Sequence, residues 1–226
     1  MSTALWSSRQ QAAAARHLAA ADPLWAALID QVGPCGLALK SECEPYEALV
    51  RAIAYQQIHG RAAEAILGRF LALYGADAGP GYFPVPEQVL GTDPDVLRGC
   101  GFSGSKVATI IGIADGARSG LVPTAAEAAT LADEVLIERL TALRGVGRWT
   151  VEMLLMFTLG RPDVLPVGDF GVREGWRLLK GMDEQPKPKQ LAALGEAWSP
   201  YRSVAAWYLW RAVELGRQGW RPATSA

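Results

Sequence analysis

Cysteine is scarce and scattered in this chain. Cys35, Cys43 and Cys100 are odd in number and form no C-x-x-C pair, so neither a disulfide framework nor a tetrahedral metal cage is written in the sequence. A reducing, cytoplasmic setting is expected. Long apolar runs are missing too. MLLMF at 153–157 falls far short of the roughly 18 residues a membrane helix needs, so the chain is expected not to span a membrane. Neither sign of charge is in excess: 22 Lys and Arg stand against 23 Asp and Glu, a net charge of −1. That balance argues against an indiscriminate nucleic-acid binder, which needs clustered cations to neutralise phosphates, while leaving room for a local patch. Strand-like alternation, hairpin dipeptides, internal repeats and a long polar linker are absent as well, which excludes a sheet of consequence and a clean domain cut.

What is there describes a globular chain of 226 residues, half of them hydrophobic, long enough for one domain or two packed lobes. Apolar residues recur at helical spacing in Leu24/Trp25/Leu28/Ile29, Leu49/Ile53, Ile66/Leu67/Phe70/Leu71/Tyr74, Val107/Ile110/Ile111/Ala114, Val151/Leu154/Leu155 and Val204/Trp207, which predicts an all-α fold. The first 21 residues carry Arg9, Arg16 and His17 and no acid; they read as an alanine-rich first helix rather than a targeting segment. Breaks fall at the Gly/Pro clusters 33–36, 75–86, 119–123, 160–169 and 184–189, separating about ten helices. Two helical lobes sharing a cleft are expected: residues 44–141 in one, and 142–226 in the other, with the N-terminal helices of 1–43 packed against the latter. From Arg139 to Lys180 there are seven bases and four acids. This segment is therefore +3 and the rest −4, and any basic face is to be sought here.

The most informative stretch is LRGVGRWTVEM at 143–153, where one helix meets a Gly-x-Gly turn and a second begins near Arg148. Gly145 and Gly147 can take positive φ and let a phosphate approach the main chain, with Leu143 and Val146 as core anchors. The N-terminus of the second helix favours an anion in the turn. Arg148 adds a charge-assisted contact or is a solvated surface residue. A tight connection between packed helices explains the glycines without any ligand. Further on, a helix of about 12 residues followed by a nine-residue Gly/Pro loop is long enough to return Asp169 to the hairpin side. On spacing alone, Asp169 reads as the N-cap of the helical segment FGVREGWRLLK.

Together, LRGVGRWT at 143–150 and VLPVGDFGVREG at 164–175 resemble the helix-hairpin-helix DNA glycosylases, most closely the 3-methyladenine DNA glycosylase II, or AlkA-type, branch. AIAYQQIHGRAA at 52–63, CGFSGSKVATI at 100–110 and WSPYRSVAAWYLW at 198–210 extend the resemblance, in order, over residues 45–220. It implies a two-lobed helical enzyme with a central cleft that excises alkylated bases from double-stranded DNA.

By the same resemblance, Asp169 is the catalytic carboxylate that stabilises the cationic sugar as the base departs, an effect that is strong in a water-poor site. Gln57, Ile58 and His59 form the wedge that fills the gap left by an extruded base, although His59 also suits a helix C-terminus. Trp149 and Trp210 wall the base pocket, where a cationic base is drawn to π faces, and Met153 stands where some relatives have a pocket tyrosine. Trp176, Trp198 and Trp207 read as core. Gly145, Val146, Gly147, Arg148, Thr150 and Lys106 are the expected DNA contacts, with Lys106 equally read as a solvated surface lysine. Main-chain oxygens of Thr141, Leu143 and Val146 are expected to hold a monovalent cation, Na+ or K+.

Trp149 replaces the nucleophilic lysine of relatives such as endonuclease III, which implies hydrolysis without lyase activity. With no cysteine after Cys100, no iron–sulfur cluster is expected. A monomer is expected, cytoplasmic and nucleoid-associated if the source is bacterial. Two rival readings are a non-catalytic helix-hairpin-helix DNA-binding module and a glycosylase for oxidised or mismatched bases.

Overall fold

The computed structural model describes residues 3–4, 8–39, 43–75 and 81–221. Parts of the N-terminal segment and of the 75–86 break therefore lie outside the described residues. In chain order the helices are α1 (Ser8–Ala21), α2 (Pro23–Val32), α3 (Pro45–Tyr55), α4 (Gly60–Gly75), α5 (Pro86–Leu90), α6 (Pro94–Gly99), α7 (Gly104–Arg118), α8 (Ala125–Thr130), α9 (Asp133–Thr141), α10 (Arg148–Phe157), α11 (Phe170–Lys180), α12 (Pro188–Gly195) and α13 (Arg202–Arg217), with a 3-10 turn at Glu196–Trp198. The fold is all-α, as the periodicity predicts. A two-residue antiparallel pair, β1 (Thr3–Ala4) with β2 (Ala38–Leu39), is the strand pairing among the described residues. Among the described residues the helix count exceeds the expected ten because α5, α6 and α8, of only five or six residues each, are too short to show a helical period. Pro86 and Pro94 sit in first turns, where the missing N–H is no loss. Among the described residues no helix is long and apolar enough to cross a membrane.

The chain divides into two compact units, Met1–Ser41 with Leu155–Ala226 and Glu42–Leu154. The hairpin segment 142–154, grouped by sequence with the C-terminal lobe, belongs to the middle unit. Packing on α7 is the reason. A Cβ on Gly116 would lie 3.1 Å from Leu143, and one on Gly145 would lie 2.2 Å from Thr109 Oγ1, so glycine at both positions lets the hairpin seat directly on that helix. α7 itself packs against α3, α5 and α6 and buries Val107, Ile110, Ile113 and Ala114, as a helix apolar on several faces must.

In the other unit, α11 and α13 form the most extensively packed pair. Trp25, Trp176 and Trp198 cluster beneath them, with ring centroids 4.9 to 5.9 Å apart, which gives Trp176 and Trp198 the core role read from sequence. Asp163 accepts Ser199 Oγ, Arg202 N and two guanidinium N–H groups at 2.8 to 3.2 Å. Burial would raise its pKa, but the bonds from Arg202 and Ser199 outweigh burial and hold it below the ordinary 3.8. Glu174 is likewise held below 4.5, first by Arg177 and then by Gln185. Both depressed values mean that the unfolded chain binds protons first on acidification. Their stabilisation is therefore complete above the ordinary carboxylate range and is lost as pH falls through the lower folded values. Acid titration followed by circular dichroism should show this unit losing stability below about pH 4, with Asp163→Asn flattening the loss.

Candidate active site

The hairpin between α9 and α10 is built as the motif predicts, with one exception. Gly145 has φ +84°, whereas Gly147 is not among the positive-φ glycines. Gly147 instead precedes α10, its carbonyl accepting the Thr150 and Val151 N–H groups at 2.9 and 3.2 Å. Leu143 and Val146 are buried, fixing the turn from below.

Of the side chains expected to face DNA from here, two are turned to other tasks. The Arg148 guanidinium forks onto both oxygens of Glu134 at 2.7 and 3.1 Å and reaches Glu152 at 3.0 Å. Glu152 is 5% exposed against 54% for Arg148, so the arginine pairs a buried carboxylate as well as the exposed Glu134. Arg148→Met is expected to lower stability by about 2 kcal/mol in denaturant melts while leaving the salt slope of duplex binding unchanged. A slope reduced by about one would instead make Arg148 a phosphate ligand. Thr150 is buried, and its hydroxyl accepts a long 3.4 Å hydrogen bond from Gln56 Nε2.

Sequence reading passed over Arg144, which is exposed at the hairpin and has no ion pair among the described residues. Its signal is its place immediately before the turn glycine. Most other cations of the 139–180 segment are engaged: Arg139 with main-chain carbonyls, Arg177 with Glu174 and Lys180 with Asp22. Ion pairing within the protein thus occupies much of the segment's positive charge.

Lys106 also departs from expectation. Its Nζ donates to Ala54 O at 2.9 Å and Gln56 O at 2.7 Å, inward onto the end of α3, and burial holds its pKa below the ordinary lysine value. The turn it meets carries Gln57, Ile58 and His59, all exposed, and Gln57 takes φ +57°. That left-handed backbone is uncommon for a residue other than glycine. Trp149, on the first turn of α10, is 48% exposed and Met153 is half-buried.

Asp169 caps α11, as its spacing suggests, with Oδ1 accepting Val172 N–H at 2.8 Å. The same oxygen accepts Trp210 Nε1–H from α13 at 2.9 Å. A Cβ on Gly171 would lie 2.8 Å from Trp210 Cδ1 and 3.1 Å from Asp169 Oδ1, so glycine at 171 makes the approach possible. Trp210 stacks on Phe157, centroids 6.0 Å apart and planes inclined at 22°. Phe157 was not among the candidate residues. Its signal is spacing, since Trp149, Met153 and Phe157 follow at intervals of four along α10. The structure thus joins Asp169, Trp210 and Phe157 in one cluster, and in the other unit it joins the hairpin, Gln56 and Lys106.

For a monovalent cation, the oxygens of Thr141, Leu143 and Val146 are hard main-chain donors. Leu143 O already accepts the Val146 N–H at 3.1 Å, which leaves one lone pair. Outside regular helices, no main-chain N–H among the described residues bonds to Thr141 O or Val146 O. Oxygens of this kind are the hard donors such an ion takes.

Comparison with known proteins gives a consistent picture. The profile of the HhH-GPD superfamily, base excision DNA repair proteins, matches residues 50–200. DNA-3-methyladenine glycosylase 1 of Schizosaccharomyces pombe is 43% identical over 200 residues, covering 88% of this chain and 86% of that protein. A solved structure of the S. pombe 3-methyladenine DNA glycosylase in complex with abasic DNA is similar at TM-score 0.76 and 42% identity, over 88% of this chain and 95% of the other. The structure of a DNA-3-methyladenine glycosidase from Bacillus halodurans matches at TM-score 0.81 and 35% identity, over 92% of each chain.

Proposed function

This chain belongs to the HhH-GPD superfamily of base excision DNA repair proteins, and we propose that it is a monofunctional DNA glycosylase that removes alkylated bases of the 3-methyladenine and 7-methylguanine class from duplex DNA. The observation that carries this reading is the carboxylate of Asp169, fixed by the α11 backbone and by the Trp210 indole N–H. An alkylated purine already bears positive charge. As the bond from the sugar carbon to the base nitrogen breaks, the bonding electrons leave with the base and the charge passes to the sugar. A carboxylate held in place stabilises that cation without reorganising, and water then adds to the sugar carbon, losing its proton to solvent. No strong general acid is needed to drive the base out.

Base extrusion precedes chemistry and costs a few kcal/mol. Gln57, Ile58 and His59 supply the wedge. The half-exposed Trp149 presents an aromatic face to a cationic base, and Trp210 offers a second such face, while Met153, one turn along α10 from Trp149, is not aromatic. The hairpin main chain at Gly145, Val146 and Gly147 takes a phosphate, with Arg144 as its cation. A Na+ or K+ ion on Thr141, Leu143 and Val146 oxygens would supply positive charge for that phosphate. The protein acts as a monomer in the cytoplasm, on the nucleoid in a bacterium.

With tryptophan at 149, no side-chain amine is available there for a Schiff base. Methylated duplex incubated with the protein should yield free base and abasic sites in equal amounts, with strand breaks only after alkali and no borohydride-trapped adduct. Breaks without alkali would overturn the monofunctional assignment. Duplex binding without base release would favour a non-catalytic hairpin module.

A further inference from the structure

We propose that Lys106 is a positioning residue for base extrusion: its ammonium locks the α3–α4 turn into a preset wedge. The proposal rests on the glycosylase reading above and adds a residue that touches neither base nor phosphate.

A helix C-terminus leaves carbonyls without intrahelical donors and carries partial negative charge. At the end of α3, Lys106 Nζ supplies two of its three N–H donors to such oxygens, Ala54 O and Gln56 O, at 2.9 and 2.7 Å. The lysine is itself held. Its backbone N–H bonds to Ser103 Oγ, the N-cap of α7, so its stem rises from an anchored first turn. On the far side of the turn, His59 O accepts the Ala62 and Ala63 N–H groups, each at 3.0 Å, which fixes the entry into α4. Gln56 adds its side-chain bond to the buried Thr150. Between these anchors Gln57 sits at φ +57°. A backbone state of that kind persists where its surroundings over-determine it, and Lys106 supplies two of the hydrogen bonds that do so. The outcome is a turn whose main chain is tied at both ends while Gln57, Ile58 and His59 project outward. A wedge that ordered only on entering the duplex would add its own conformational entropy to the cost of extrusion.

This role separates from a phosphate contact and from general structural support. Single-turnover base release is measured on two duplexes, one with the damaged base fully paired and one with the same base in a bulge, already unstacked. Lys106→Met should slow release about tenfold on the paired duplex and much less on the bulge, because only the first needs the wedge. Lys106→Arg, which keeps paired N–H donors, should recover most of the loss. Amide hydrogen exchange at Gln57–Gly60 should quicken in Lys106→Met, and the salt slope of duplex binding should stay that of wild type. If Lys106→Met fails to fold, the same split is read from Lys106→Gln.

Equal loss on both duplexes, unchanged exchange in the turn, or a salt slope reduced by about one would each overturn the Lys106 assignment alone. A wild-type protein inactive on both duplexes would remove the glycosylase reading, and the wedge role with it.

Discussion

Asp169→Asn should lower the single-turnover rate of base release by about a thousandfold, equivalent to about 4 kcal/mol of barrier, with little change in stability or in affinity for methylated duplex. The choice of asparagine follows from the geometry. Asp169 Oδ1 accepts both the Val172 N–H and the Trp210 indole N–H, and an amide oxygen accepts both as well. Asparagine is also as good an N-cap as aspartate. The substitution therefore keeps the cap and the tryptophan partner while removing the charge. Asp169→Ala would remove all three, adding about 1 kcal/mol of lost capping and confusing the two roles. A melting temperature near wild type together with a collapsed rate is the expected pairing. A rate within about threefold of wild type would mean that no transition-state charge rests on Asp169.

Gly175→Ala is expected to be the most damaging small change to the fold. A Cβ there would lie 2.1 Å from Leu209 O, 2.6 Å from Leu209 C and 2.8 Å from Leu209 Cα. All three atoms are main chain of α13, so no side-chain rotation relieves the clash and the two helices must separate. About 3 kcal/mol of stability is at stake, which corresponds to roughly 10 °C in Tm for a chain of this size. These helices also carry Asp169 and Trp210, whose 2.9 Å bond would lengthen as they part, so base release should fall even at temperatures where the variant is folded. Gly112→Ala is the control, because a Cβ there meets nothing within 4 Å. Calorimetry of the two variants, with base release at a temperature well below both transitions, reads stability and activity separately.

Much of this was legible in the sequence, and what was not has physical reasons. The helical period and the Gly-x-Gly turn announced the all-α fold and the hairpin, because both are local. Which glycine needs a left-handed backbone was not local. Gly145 lies against Thr109, a residue on another helix, whereas Gly147 stands at a helix start. Lys106 and Thr150 looked like surface contacts because their partners, Ala54, Gln56 and the Gln56 side chain, lie 50 to 94 positions away. Of the two partners of Arg148, Glu152 is only four positions on, whereas Glu134 is 14 positions upstream and was not visible locally. For Asp169, cap and catalytic group were weighed as alternatives, yet one carboxylate oxygen serves the cap and the Trp210 bond together. Phe157 escaped notice because its stacking partner is on α13, although its interval of four from Met153 was visible.

The central claim is that this chain releases alkylated bases by hydrolysis. Its most direct test is to incubate purified protein with methylated duplex DNA and quantify free 3-methyladenine and 7-methylguanine by chromatography against an enzyme-free control. Enzyme-dependent release of 3-methyladenine, in step with the abasic sites formed, is the predicted result. Free base at control levels, with the duplex tightly bound, would contradict it.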